Sequence, residues 1–150
     1  MRLSVAGKQL IGTQIACFQA AMNMLPVNPD TAHAVEIADH IWWVGHYLKD
    51  DVFQCHVYLI EHGDQSILFD PGSKLTFSHT LQKIEELIPF SSIRYFVCHH
   101  QDPDITASLP RIDAMISRDD AVLVTHWRAW ALLKHYDLKH LAVWKHTRFA

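Results

Sequence analysis

The residues best suited to chemistry lie in one short run, Cys98-His99-His100-Gln101-Asp102-Pro103-Asp104. His100, Asp102 and Asp104 are spaced two apart, so in an extended or turning loop their side chains can project to one side and converge on an ion. One imidazole nitrogen with two carboxylate oxygens suits iron, manganese or zinc better than a sulfur-preferring ion. Pro103 fixes its own φ, which lowers the entropy lost when the loop is held around a metal. A polar loop in which an Asp caps the following helix accounts for the same residues about as well. The chain has twelve His in 150 residues, and most have a weaker claim. His99 is expected to point away from His100, toward the packed side, as a core or supporting group. His126, His135 and His140 fall near the ends of an expected helix, where surface histidines are ordinary. His146 sits in Trp144-Lys145-His146-Thr147 and is given no ligand role.

Other chemistries find no support. There is no G-x-G-x-x-G, G-x-S-x-G or phosphate-binding loop, so neither catalytic nor cofactor-binding residues are assigned. Thirteen Lys and Arg against sixteen Asp and Glu give a net charge of −3. That balance lacks the basic excess of a nucleic-acid binder. Cys17, Cys55 and Cys98 are odd in number and form no C-x-x-C pair, so no disulfide framework or sulfur-ligated zinc site is expected. A cytoplasmic, reducing location fits. The stretch Leu10–Leu25 carries Gln14, Gln19 and Asn23, too polar and too short for a membrane span or an export signal. It is expected to be a short amphipathic helix or an extension, with Pro26 and Asn28-Pro29-Asp30 closing it and the domain starting near Thr31.

The elements that position the loop follow from periodicity. Val35 to Val44 reads as two short strands around a turn at Asp39-His40. Phe53–Glu61 and Ser66–Phe69 form a hairpin across Gly63-Asp64. Asp70-Pro71-Gly72-Ser73 closes it, and Leu81, Ile84, Leu87 and Ile88 mark a helix stopped by Pro89. Ile93–Cys98 is a strand that ends at the His-Asp run, where an α/β sheet offers residues to a cleft. A helix is expected from about Ile105 or Ser108 to Ile116, then a strand over Ala121–Val124, a helix over His126–His135 and a last strand from Leu141. The order implies an α/β (α+β) sheet of mixed strands.

Within Val35 to about Trp144 the chain resembles the first half of the metallo-β-lactamase fold, in particular its flavodiiron and oxygen-binding diiron branch. The similarity runs through Glu36-Ile37-Ala38-Asp39-His40-Ile41-Trp42-Trp43-Val44-Gly45, then Val57-Tyr58-Leu59-Ile60 and Ile67-Leu68-Phe69-Asp70-Pro71-Gly72. The branch's metal loop, H-x-E-x-D-H, is matched by His100, Asp102 and Asp104, with Ile105 in place of its last His. Ala107-Ser108-Leu109-Pro110 resembles the continuation. The resemblance implies an αββα sandwich represented by its first half, over residues 31–150, after an extension at 1–30. A carboxylate at the second position, here Asp102, is the diiron-type signature, which implies iron, with zinc as the alternative metal. It further implies a second His, a bridging Asp and a final His from the second half of the fold.

The function this resemblance implies is binding or sensing of O₂ or NO at a diiron centre, related to an oxidoreductase, with electrons from a redox partner or a coupled sensor-output domain. A zinc-dependent hydrolase of the same fold is the alternative, and so is a truncated remnant without activity. Half a sandwich leaves a sheet edge or apolar face to be covered, and a homodimer would cover it. Neither nucleic acid nor membrane is expected as a partner.

Overall fold

The first hairpin forms because Asp39-His40 supplies a tight turn between apolar runs, with His40 in the left-handed region at φ 56°. It joins β1 (Val35–Ala38) to β2 (Ile41–Trp43). In the computed structural model, residues 30–52 and 54–143 are described. The chain divides into two compact units, residues 1–30 and 31–150. The helix expected over Leu10–Leu25, and Cys17, Phe53, Trp144 and His146, lie outside the described residues.

Next come β3 (Tyr58–Ile60) and β4 (Ser66–Phe69), joined by a turn with Gly63 at φ 55°. The strand expected over Phe53–Glu61 is therefore shorter. Upstream of it the Gln54 amide bonds Leu48 N–H, Leu48 C=O and Asp51 C=O, holding a loop where a ladder was expected. Helix α1 (Phe77–Leu87) follows, and its C-cap Ile88 is extended before Pro89, as the restriction on a residue preceding proline requires. Then β5 (Ile93–Cys98) leads into α2 (Pro103–Thr106), α3 (Leu109–Met115), β6 (Val122–Thr125), α4 (Trp127–Leu133) and β7 (Ala142–Val143). The helix up to Ile116 takes the later of its two expected starts, Ser108, and Ile105 falls in the separate short α2. Pro110 has no N–H to donate back, and Ser108 N–H turns to the Gly72 carbonyl at 3.3 Å instead.

Among the described residues seven strands pair in chain order, antiparallel from β1 to β4 and parallel from β4 to β7. Register lines up Leu59, Leu68, Phe96 and Leu123 as one row across the sheet. These four are wholly buried, together with Phe77 and Ile84 of α1, Leu109 and Ile112 of α3, and Leu133 of α4. Burying each such side chain contributes about 1.5–3 kcal/mol. The neighbouring row, Ile41, Ile60, Ile67, Tyr95 and Val122, alternates to the opposite face and is half-buried. Among the described residues no helix is long and apolar enough to cross a membrane.

Candidate functional site

The parallel strands β4, β5 and β6 end together, and the loops that leave them carry the candidate residues. Asp70, the first residue after β4, sits at φ 48°. Its backbone N–H donates to the Val97 carbonyl at 2.8 Å, so the chain leaves the sheet while still tied to β5. Gly72 follows at φ 86°, and a Cβ there would lie 3.2 Å from Val57 Cγ2. Only glycine suits that conformation and space. The turn is fastened to the next loop, since Gly72 N–H donates to Ile105 C=O at 2.9 Å and Gly72 C=O accepts from Ser108 N–H. The Asp-Pro-Gly turn and the His-Asp loop thus form one unit.

Within that unit His100 and Asp102 are neighbours. His100 Nδ1 lies 3.4 Å from Asp102 Oδ2 and accepts the Asp102 backbone N–H at 3.3 Å. Both side chains are about half exposed, at 43% and 58%. The other Asp102 oxygen accepts from the Gln101 amide at 3.0 Å. Asp102 occupies the N-cap position of α2, but its side chain makes no capping bond; its main-chain carbonyl takes Ile105 N–H, Thr106 N–H and the Thr106 hydroxyl. Asp104, in the only turn of α2, faces elsewhere, with Cys55 Sγ donating to its Oδ2 at 3.7 Å. Burial first, and then the Asp104 carboxylate, push the Cys55 thiol up from its ordinary value.

His99 is not on the packed side. Its ring is 63% exposed, stacked beside Phe69 at 5.9 Å between centroids, because positions 95, 97 and 99 share the face opposite the core. Asp70 holds it twice, accepting His99 N–H at 2.9 Å and meeting Nδ1 at 2.7 Å. An imidazole fixed through Nδ1 by a carboxylate presents Nε2 outward, the arrangement that orients histidines at metal and proton-transfer sites. Nothing in the sequence marks this pair, since its members are separated by the whole of α1 and β5. His126 lies at a helix end as expected, and it is itself the N-cap of α4, its Nδ1 accepting Arg128 N–H at 3.3 Å.

The three residues spaced for a metal are therefore divided between two local networks. Among the described residues no group of three His, Cys, Asp or Glu is placed to hold an ion. Two donors about 2.1 Å from one ion at a tetrahedral angle lie about 3.4 Å apart, a spacing that the His100–Asp102 pair has and that Asp104 does not join. A complete diiron or zinc centre does not fit these residues alone.

Residues 53–149 match the family described as ODP family beta lactamase. Among solved structures, the rubredoxin oxygen:oxidoreductase of Desulfovibrio gigas is 21% identical with a TM-score of 0.64, over 75% of this chain and 30% of that one. The flavodiiron protein of Giardia intestinalis is 20% identical with a TM-score of 0.64, over 78% and 31%. The subclass B3 metallo-beta-lactamase MEM-A1, from a soil metagenome library, is 16% identical with a TM-score of 0.58, over 67% and 35%. These likenesses show the fold, a metallo-β-lactamase-like arrangement smaller than its full-length homologues. The chain spans about a third of the length of each of these structures. No curated protein matches it.

Proposed function

This chain belongs to the ODP family of beta-lactamase-fold proteins, and we propose that residues 31–143 act as a fold module without catalytic activity of their own. Its His100 and Asp102 are one part of a metal centre that needs donors from elsewhere. The observation carrying this reading is the division of the loop: His100 and Asp102 are together, while Asp104 accepts the Cys55 thiol. Two half-exposed donors give an ion few bonds to set against its own hydration and that of the two side chains. Calorimetric titration of the full chain with ferrous and zinc ions tests it. Binding weaker than about 10 μM, further weakened in His100→Ala and unchanged in Asp104→Asn, is expected. Tight binding lost in Asp104→Asn would refute it.

A second reading, binding or sensing of O₂ or NO at a diiron centre, is favoured by the family match and by the carboxylate at Asp102. When bound, such a centre supplies the redox chemistry, with electrons from a redox partner. Within that reading this chain's residues hold and orient: Asp70 fixes His99, and the Gly72 bonds keep α2 against the turn. Zinc-dependent hydrolysis has the same requirement for donors that the described residues do not bring together.

A further inference from the structure

We propose that the hollow between Thr31, the end of β2 and helix α1 is a binding site for a small oxyanion, a phosphate or carboxylate group, held by His46 and His79 over the Lys83 ammonium. The hollow has a volume of about 440 Å³ and is lined by Thr31, His46, Tyr47, His79, Gln82 and Lys83. That volume falls in the range of small-molecule sites, about 300–1,000 Å³. No carboxylate is among these described lining residues. Glu86, one turn along α1 from Lys83, is turned toward His33 Nδ1 and Ala34 N–H.

Lys83 is only 2% exposed. Its ammonium donates to Thr31 C=O at 2.7 Å and Gly45 C=O at 2.6 Å, and it lies 4.2 Å from the centroid of the Trp43 ring. Carbonyl dipoles and an aromatic face hold the cation in place. Above it the His46 and His79 rings stack at 3.9 Å with a 9° interplanar angle. Parallel imidazoles cannot turn their lone pairs onto one metal ion, but they can offer N–H groups side by side to two oxygens of one anion. His79 stands in the first turn of α1, whose dipole adds positive potential. Burial first, and then the charges of His79 and Lys83, hold the His46 imidazole below its ordinary value. An anion in the hollow relieves that repulsion, so its binding takes up a proton. Facing His46 are Lys83, Gln82 and His79 from α1 and Tyr47 from its own segment, with Thr31 and Ala32 on the remaining side. Affinity is therefore expected to rise as pH falls toward and below the ordinary imidazole value, about 6.5.

The site does not depend on the metal-binding reading. It is tested by titrating inorganic phosphate, and separately acetate, into the full chain at about pH 6 while following the imidazole Hε1 signals by NMR. Phosphate is expected to shift His46 and His79 along a saturable curve and leave the Asp70-bound His99 in place. His79→Ala, an exposed position, should weaken phosphate binding about tenfold. Saturation by acetate as well assigns a carboxylate-tolerant site; saturation by phosphate alone assigns a phosphate site. Shifts shared by all histidines without saturation, or unchanged phosphate binding in folded His79→Ala and His46→Gln variants, would overturn the proposal.

Discussion

Asp113 of α3 offers a perturbation whose size can be worked from the structure. Its Oδ1 accepts His140 N–H at 2.8 Å and Leu141 N–H at 2.7 Å, and its Oδ2 accepts Lys139 N–H at 2.8 Å. One carboxylate that is 5% exposed thus fastens the helix after the His-Asp loop to the approach to β7. A hydrogen bond to a charged group contributes about 1.5–3 kcal/mol. Lys139 and His140 are exposed, so water recovers much of theirs when the acceptor is removed; Leu141 is buried, so its N–H stays unpaired. Asp113→Ala is therefore expected to cost about 3 kcal/mol and Asp113→Asn, which keeps one acceptor oxygen, about 1.5 kcal/mol. Burial, the largest single influence, pushes the Asp113 carboxyl up. The three backbone N–H groups and the His140 charge outweigh it and hold the group below its ordinary value. A depressed native pKa stabilises the fold above the unfolded value, near 4, and that contribution fades as pH falls through the native one. Urea unfolding followed by circular dichroism should show the gap between wild type and Asp113→Asn at neutral pH narrowing below about pH 4. A gap under about 0.5 kcal/mol at neutral pH, or one that ignores pH, would refute the latch.

Three further outcomes follow from the sheet and the loop. Phe96→Ala should cost about 3–5 kcal/mol in urea unfolding, while Val97→Ala on the half-buried face should cost under about 1 kcal/mol; equal costs would contradict the assigned faces. Gly72→Ala should lose about 2 kcal/mol, because φ 86° and the Val57 methyl 3.2 Å from a new Cβ both oppose it; a neutral effect in the same assay would show that the turn relaxes. Cys98 is buried, and burial followed by the Asp70 charge pushes its thiol up. Mass spectrometry after alkylation near pH 8 should find Cys98 unmodified until the chain unfolds and Cys55 modified slowly, and prompt labelling of Cys98 would contradict its placement.

The pattern made β5 legible to the residue, since Ile93–Cys98 is mostly apolar, rich in β-branched and aromatic residues and bounded by loop signals on both sides. The turns at His40 and Gly63 were legible for the same local reason. What alternation could not carry was tertiary choice. The strand before Ile60 lost its first residues to side-chain bonds from Gln54, and of the two starts open to the helix ending at Ile116 the later one was fixed where Ser108 found Gly72. The spacing of His100, Asp102 and Asp104 identified residues that can converge. Whether they do depends on Cys55, which lies 49 residues earlier than Asp104 and reaches it only through the fold. The Asp70–His99 pair was invisible for a like reason, its members lying 29 residues apart.

The division of the loop is tested most directly by metal content. The full chain would be loaded with ferrous iron under anaerobic conditions, or with zinc, desalted, and assayed by inductively coupled plasma mass spectrometry. With His100 and Asp102 as the loop's paired donors and Asp104 held by Cys55, well under one ion per chain should survive desalting, and the remainder should fall further in His100→Ala. Two iron ions retained per chain, lost together in Asp104→Asn, would mean that Asp104 leaves Cys55 to complete a centre and would contradict the account.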